Sequence, residues 1–287
     1  DIRGTLIISK EGLNGTLSGK SKNIYKIIKI IKNSFKIKKF DSENLSKSKL
    51  QPFHKPKIKI KKEVVPMGIY INSNNKKNNH LEPSEWNDLI KNKDTLVLDA
   101  RKPFEYEIGS FKRAVNPKVK NFREFPKYLS KLGKKKSVAM YCTGGIRCEK
   151  ASAYLINKGY KNVYQLNGGI IEYTRQVKEH NLENKFLGKN FVFDNRMSER
   201  ISGDIISNCH QCGDKCDEHV NCNNEACRLL FIQCDSCAKK YDGCCSIECS
   251  EIYSLPIEKQ KELRGGKKNS SKIFKKGRFK EKPLNKI

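Results

Sequence analysis

Twelve residues near the middle of the chain contain its most informative local pattern: Met140-Tyr141-Cys142-Thr143-Gly144-Gly145-Ile146-Arg147-Cys148-Glu149-Lys150-Ala151. The apolar run 137–141 predicts a buried strand, and an apolar pattern typical of a helix begins near Cys148. Cys142 therefore stands in a glycine-rich turn between a strand and a helix. Such a turn can point backbone N–H groups inward, and the helix N-terminus adds partial positive charge. The local sequence predicts an anion-binding turn around the Cys142 sulfur.

An anion-binding turn favours a thiolate over a thiol, which is the form that a nucleophilic or sulfur-carrying cysteine needs. Arg147 supplies a permanent cation to the same turn. The alternative is a structural cysteine that is simply buried at a strand end. We predict that Cys142 is reactive. Its predicted active-site loop comprises Thr143, Gly144, Gly145, Ile146 and Arg147.

The strand, cysteine loop and helix resemble the active-site loop of rhodanese domains, in which the cysteine carries a persulfide. The longer run from Cys142 to Ala151 is similar to one subgroup, the bacterial rhodanese-containing tRNA uridine hydroxylases, which make 5-hydroxyuridine at the wobble position. The segment from Phe191 to Ile201 resembles the same subgroup and is absent from ordinary sulfurtransferases. The resemblance spans nearly the whole chain.

Residues 83–180 alternate between strand and helix patterns, which predicts an α/β domain. By the resemblance, this is a doubly wound rhodanese domain. The apolar run 95–98 is typical of a central parallel strand. A helix is expected to open near the start of the domain, with Ser84 as its N-cap and with Trp86 and Leu89 facing inward.

Several further residues frame the predicted active site. By the rhodanese resemblance, Asp99 is expected to hydrogen-bond loop backbone and Arg101 to lie near the active-site rim. Cys148 is either a resolving partner of Cys142 or a packed helix residue. Glycines in the turn 167–170 allow the closing segment of the domain to pack closely.

Residues 1–65 predict a small α+β domain. Strands over 3–8 and 16–18 form a hairpin, a helix spans 22–35, and an alternating pattern predicts a strand over 57–65. The hairpin resembles the ferredoxin-like (acylphosphatase-like) N-terminal domain of the same hydroxylases. The resemblance implies an incomplete, N-terminally truncated domain that lacks its first strand and helix.

The chain is strongly basic, with a formal net charge of +28. This charge suits a polyanionic partner such as RNA, although 48 lysines against 11 arginines is also a bias that AT-rich genomes impose. Residues 66–82 are expected to form a linker that contains a surface His80. Residues 266–287, with nine Lys or Arg and one acid, predict a disordered basic tail. No apolar run reaches the length of about 18 residues that a membrane span needs.

Ten of the twelve cysteines lie between residues 209 and 249, which favours metal or redox chemistry in a reducing cytoplasm. Two C-x-x-C pairs separated by 21 residues resemble zinc-ribbon knuckles. They predict one zinc site in a cysteine-rich module over residues 181–265, formed by Cys209, Cys212, Cys234 and Cys237.

Other cysteines of the module could complete a second site: Cys216, Cys222, Cys227, Cys244, Cys245 and Cys249. His210 and His219 are alternative ligands. Reduced packed thiols, disulfides and an iron–sulfur cluster remain open, because the spacing does not choose among them.

By the family resemblance, the chain is an enzyme that hydroxylates C5 of the wobble uridine of tRNA, with molecular oxygen as co-substrate. The essential residue is then Cys142, as a thiolate or a persulfide. The expected partner is tRNA and the expected location is the cytoplasm. The rhodanese domain alone would equally support a sulfurtransferase or persulfide carrier. A zinc-ribbon RNA-binding protein with an inert rhodanese scaffold is a third alternative, and it requires Cys142 to be dispensable.

Overall fold

The structure is a computed structural model that describes residues 1–46, 51–69, 71, 79–133 and 137–265. The predicted basic tail over 266–287 and most of the Asn- and Lys-rich part of the predicted linker lie outside these residues. The chain forms two compact units. Of the described residues, those within 1–106, 111–185 and 191–199 form the first unit, and those within 107–110, 186–190 and 200–265 form the second.

The N-terminal part of the first unit is a three-stranded sheet with one helix: β1 (Arg3–Ser9), β2 (Gly12–Ser18), α1 (Ser21–Ser34) and β3 (Pro56–Ile60). The sheet order is β2-β1-β3, with β1 antiparallel to β2 and parallel to β3. In α1, Ile31 is buried and Lys29 is exposed, as the helical period predicts. The strand predicted over 57–65 ends at Ile60, because Val65 turns into the core of the following domain.

The chain then alternates between strands and helices: β4 (Asn79–Leu81), α2 (Pro83–Leu89), β5 (Thr95–Asp99), α3 (Pro103–Glu107), β6 (Gly109–Phe111), a 3-10 turn (Phe122–Glu124), α4 (Phe125–Leu129), β7 (Ser137–Tyr141), α5 (Ile146–Asn157), β8 (Val163–Leu166) and α6 (Gly169–Glu179). Four of the strands form an all-parallel sheet of order β4-β8-β7-β5. α2 packs with α6 and α4 packs with α5, as expected for helices on the two faces of a doubly wound sheet. Trp86 is fully buried, as predicted, and Leu89 is half-buried.

Three boundaries differ from the sequence predictions. β4 falls inside the predicted linker and pairs in parallel with β8, and three residues are too few to show a strand period. The N-cap of α2 is Glu82 rather than Ser84, because the Glu82 N–H donates to Glu85 Oε2 at 3.0 Å in a capping box. α5 begins at Ile146, two residues earlier than the apolar pattern indicates.

The hydrophobic core around the four-stranded parallel sheet also includes Val65, just before the predicted linker, and Met67 within it. Val65 and Met67 are buried in the same cluster as Cys142 and Cys148. The segment that follows β3 is therefore anchored on the domain that holds the predicted reactive cysteine.

The second unit contains the cysteine-rich part of the chain. Together with the strands that lead into it, its elements are β9 (Phe186–Phe191), β10 (Ser198–Arg200), β11 (His219–Asn221), β12 (Leu230–Ile232), α7 (Asp235–Lys240), α8 (Ile247–Ser254) and α9 (Ile257–Arg264). One sheet has the order β10-β9-β6, and β11 and β12 form an antiparallel hairpin. Asp217 is buried here and pairs with Lys189 Nζ at 3.0 Å and Arg200 Nη2 at 2.7 Å. Among the helices of the described residues, none has the length and apolar character to cross a membrane.

Candidate active site

Cys142 directly follows β7, at the carboxyl end of a central strand of the parallel sheet. Tyr141 O accepts a hydrogen bond from Ala100 N–H at 2.9 Å, which fixes this end of β7 against the segment after β5. α5 begins four residues later, and the backbone N–H groups of Arg147 and Cys148 donate to the Cys142 sulfur. Cys142 has no exposed surface. The loop thus directs the start of a helix at a buried sulfur.

Glycines allow the loop that holds Cys142 to pack closely against the closing turn that follows β8. Gly145 has φ +86° and stands at the N-cap of α5. The N–H of Ile170 donates to Cys142 O at 3.0 Å. A Cβ on Gly169 would lie only 2.5 Å from Cys142 O, closer than real side chains approach. The closing turn therefore packs on the loop as tightly as its glycines allow.

The surroundings of Cys142 stabilise a thiolate despite its complete burial. Burial itself raises the pKa of this thiol. A hydrogen bond from the Cys148 thiol, the charge of Arg147 and the two backbone donors outweigh it and lower the pKa of Cys142 to about 6. Burial, and the hydrogen bond to Cys142, raise the pKa of Cys148. Cys142 is therefore the anion of this pair and Cys148 its donor.

The rate at which iodoacetamide alkylates Cys142 is expected to rise with pH through a midpoint near 6, because only the thiolate reacts. Mass spectrometry of the Cys142 peptide separates this reaction from that of the other cysteines. Replacing Cys148 by Ala removes a donor to the thiolate and should move the midpoint upward. A midpoint at the ordinary cysteine value of about 8.5 would contradict the thiolate assignment.

Arg147 is held by a buried carboxylate that no sequence motif led us to expect in the site. Its Nη1 and Nη2 atoms donate to the two oxygens of Glu105 at 2.8 and 2.9 Å, and Nη2 also donates to Thr143 Oγ1 at 3.1 Å. Glu105 is fully buried, and burial alone would raise its pKa, but the charge and hydrogen bonds of Arg147 lower it overall. One signal could have indicated Glu105: it lies shortly after the carboxyl end of β5, the sheet edge where ligands bind.

Glu105→Gln is expected to destabilise the protein by roughly 3 kcal/mol, because it leaves the largely buried Arg147 charge without its carboxylate. Urea unfolding followed through the fluorescence of Trp86, the one tryptophan of the chain, measures this change. Glu179→Gln is the matched control. It removes a carboxylate from an exposed pair with Arg175 and should change stability by less than about 0.5 kcal/mol. If both substitutions had equally small effects, the ion pair between Glu105 and Arg147 would not contribute to the stability of the protein.

Asp99 and Arg101 form a second buried ion pair. Arg101 Nε donates to Asp99 Oδ1 at 2.9 Å and Nη2 donates to Oδ2 at 2.6 Å. The Arg101 backbone N–H also donates to Asp99 Oδ1, which is the loop-backbone bond expected of this aspartate. Arg101 itself is fully buried rather than placed at the rim, because its guanidinium pairs with Asp99 and lies 5.4 Å from the Tyr141 ring centre.

Two residues of α5 connect it to earlier segments of the first unit. Lys150 Nζ donates to Glu11 Oε1 at 2.5 Å, in the β1–β2 turn, and to Glu63 Oε2 at 2.6 Å. Glu149 Oε1 lies 2.6 Å from His80 Nε2, in β4. His80 is exposed, as expected, yet it contacts the helix that follows the active-site loop.

The cysteines of the second unit converge on two points. The four predicted to bind zinc have sulfur atoms within 4.8 Å of one another: Cys209, Cys212, Cys234 and Cys237. A second set is equally compact: Cys222, Cys227, Cys245 and Cys249. All twelve cysteines of the chain are free of disulfide bonds. Among the described residues, Cys216, Cys244, His210 and His219 belong to neither set.

Comparison with known proteins places the chain in a family. It is 52% identical over 283 residues to the tRNA uridine(34) hydroxylase of Pelagibacter ubique, over 96% of this chain and 89% of that protein. Proteins of the same name from Leptospira interrogans and Yersinia pestis are 46% and 44% identical, over 98% and 96% of this chain and 78% and 79% of their own lengths. The chain belongs to the tRNA uridine(34) hydroxylase family. The family resemblance found in the cysteine loop is therefore confirmed.

Three family models match the chain in succession. A UPF0176 acylphosphatase-like domain matches residues 1–64, a rhodanese-like domain matches residues 82–176, and a rhodanase C-terminal domain matches residues 187–250. The rhodanese-like match contains the Cys142 loop and Glu105. The C-terminal match contains both sets of four cysteines.

The segment 191–196, by which the sequence already resembled the tRNA uridine(34) hydroxylases, packs on α3. The rings of Phe104 and Phe191 meet edge to face with centroids 4.9 Å apart. Arg196 Nε and Nη2 donate to the Asp194 carboxylate at 2.9 and 2.6 Å, the same Asp-x-Arg arrangement that begins at the last residue of β5. The segment therefore supports the helix that holds the carboxylate partner of the loop arginine.

Proposed function

We propose that this chain hydroxylates the wobble uridine of tRNA at C5 with molecular oxygen, and that Cys142 is its essential residue. One observation supports this function above all: an intact rhodanese loop holds the buried Cys142 sulfur as an anion in a chain of this family. The relatives are named for uridine 34 of tRNA, which supplies the substrate. A tRNA substrate also favours a cytoplasmic location for the protein.

The loop suits a sulfur nucleophile that acts on a uracil ring. Addition of the Cys142 sulfur to C6, as a thiolate or a persulfide, makes C5 electron-rich, and C5 is the atom to be hydroxylated. C5 then takes one oxygen atom from O2, and a two-electron reductant converts the other atom to water. Loss of the C5 proton restores the C5–C6 double bond and expels the sulfur as an anion, which the N–H groups of Arg147 and Cys148 stabilise. Glu105 keeps the Arg147 guanidinium in place throughout.

The complete burial of Cys142 means that the uridine has to leave its base stack and that the loop has to admit it. Extruding a base that is already single-stranded, as in an anticodon loop, costs less than breaking a base pair. The net charge of +28 and exposed lysines such as Lys26 and Lys29 of α1 favour the approach of tRNA phosphates.

This function can be tested by incubating the purified protein with unmodified tRNA, a reductant and heavy-isotope oxygen gas. We expect 5-hydroxyuridine that contains the heavy isotope, and no product under nitrogen. Incorporation of oxygen from labelled water instead would contradict oxygen-dependent hydroxylation. If the tRNA stays unmodified while the protein transfers sulfur from thiosulfate to cyanide, the protein is a rhodanese-type sulfurtransferase or persulfide carrier.

The cysteine-rich module calls for a separate proposal, namely that Cys209, Cys212, Cys234 and Cys237 hold one zinc ion. Cys212 Sγ lies 3.6 Å from Cys234 Sγ. Zinc–sulfur bonds of about 2.3 Å in a tetrahedron separate the sulfurs by about 3.8 Å. The Cys234 N–H donates to Cys209 Sγ at 3.4 Å, as outer-shell donors do around metal-bound ligands. Four thiolates close the coordination sphere, so this ion would be structural.

A further inference from the structure

Four cysteines that no C-x-x-C motif marks have sulfur atoms within 4.8 Å of one another: Cys222, Cys227, Cys245 and Cys249. Cys227 Sγ lies 3.7 Å and Cys249 Sγ lies 3.8 Å from Cys245 Sγ. Four sulfurs around one zinc ion are separated by about 3.8 Å, whereas a disulfide bond is about 2.05 Å long. The separations therefore match four thiolates that share a single ion.

The second set repeats the local construction of the first. The Cys245 N–H donates to Cys222 Sγ at 3.4 Å, just as the Cys234 N–H donates to Cys209 Sγ at 3.4 Å. In each set, the donor is the first cysteine of the later pair and the acceptor is the first cysteine of the earlier pair. The later pairs extend into α7 and α8, respectively. Because the two sets share this local geometry, we expect both to bind the same kind of metal ion.

Simple packing of small side chains does not explain this convergence. Eight of the ten cysteines between residues 209 and 249 fall into the two sets, and the other two, Cys216 and Cys244, are buried outside them. Asn224 Nδ2 donates to Cys249 Sγ at 3.4 Å, a bond that suits a metal-bound thiolate because a neutral thiol is a weak acceptor. An iron–sulfur cluster would insert iron and sulfide atoms between its cysteines, and these sulfurs are close enough to share one ion.

The ligand pairs of the two sites alternate along the chain, in the order 209/212, 222/227, 234/237 and 245/249. The first and third pairs form one site, and the second and fourth form the other. Cys222 and Cys227 stand in the loop of the β11–β12 hairpin, between the two pairs of the first site. We propose that the module binds two structural zinc ions in this crossed arrangement. Each site closes a loop that contains a ligand pair of the other, so loss of either ion should loosen both.

Metal analysis of the purified full chain tests this inference independently of hydroxylation. We expect two zinc ions per chain and no bound iron. One zinc ion per chain would overturn the second site, and iron in place of zinc would overturn the assigned metal. Cobalt(II) titration of the metal-free protein gives a second readout, in which two equivalents should develop the absorption of tetrahedral tetrathiolate cobalt.

Cys249→Ala removes one ligand of the second site and should lower the zinc content from two ions to one or fewer. Cys244→Ala is the matched control, since Cys244 is buried in the same cluster but lies outside both sets, and it should retain two ions. Retention of two zinc ions by Cys249→Ala would overturn the inference. If Cys249→Ala does not fold, the cobalt titration of the unaltered chain still decides between one site and two.

Discussion

Cys142→Ser is expected to abolish 5-hydroxyuridine formation, with a loss of at least about 10³-fold in turnover, as when other enzymes lose their nucleophile. Serine is close to cysteine in size, but its hydroxyl does not ionise near neutral pH, whereas the pKa of Cys142 is lowered to about 6. The donors that Arg147 and Cys148 direct at the sulfur would then face a neutral group. Mass spectrometry of tRNA nucleosides measures the product, and fluorescence anisotropy of labelled tRNA should show unchanged binding.

The matched control for this substitution is Cys216→Ser, which alters a buried cysteine that belongs to neither set of four. It should retain activity. An essential role for this sulfur would be contradicted if the Cys142→Ser protein had normal thermal stability and still kept more than about a tenth of the wild-type turnover.

Gly169→Ala is expected to lower turnover by about 100-fold, the effect of misplacing a reactive group by roughly 1 Å. The added Cβ would lie 2.5 Å from Cys142 O and 2.7 Å from Gly145 N, so the cysteine loop would have to move. The backbone of Gly169 also has φ +67°, a conformation that costs an L-residue about 1–2 kcal/mol. Nucleoside analysis and the thermal midpoint measure the two effects.

Gly144→Ala is the control within the same loop, because its Cβ would meet no atom within 4 Å and its backbone is not in the left-handed region. It should leave the thermal midpoint and the pH midpoint of Cys142 alkylation unchanged. Equal changes from both substitutions, or none from Gly169→Ala, would show that the close packing of the closing turn does not fix the loop.

The strand, loop and helix around Cys142 could be predicted because their signals are local. An apolar run, a glycine pair and the start of a helical period all fall within residues 137–151. Glu105 could not be predicted in the same way, since it meets Arg147 across 42 residues of sequence and only after α3 and α5 reach the same sheet edge. The prediction that Arg101 lies near the active-site rim was wrong for a related reason. The sequence shows the Asp-x-Arg pair, but it does not show that the Arg101 side chain is buried.

In the cysteine-rich module, too, only the contacts with a local sequence signal could be predicted. A C-x-x-C pair is a recognisable unit, and the two pairs of the first set are brought together by the fold. The pairs of the second set have four and three intervening residues, which match no common knuckle, so the sequence did not separate their members from Cys216 and Cys244. Cys222 and Cys227 lie in the loop of the β11–β12 hairpin, whose strand pairing is a property of the folded chain.

We propose that this chain hydroxylates the wobble uridine through Cys142. The most direct test is mass spectrometry of tRNA nucleosides from a bacterial host that lacks its own hydroxylase and receives the gene for this chain, either unaltered or with Cys142→Ser. We predict 5-hydroxyuridine with the unaltered gene and none with the variant. The claim would be contradicted if 5-hydroxyuridine never appeared while the purified protein moved sulfur from thiosulfate to an acceptor.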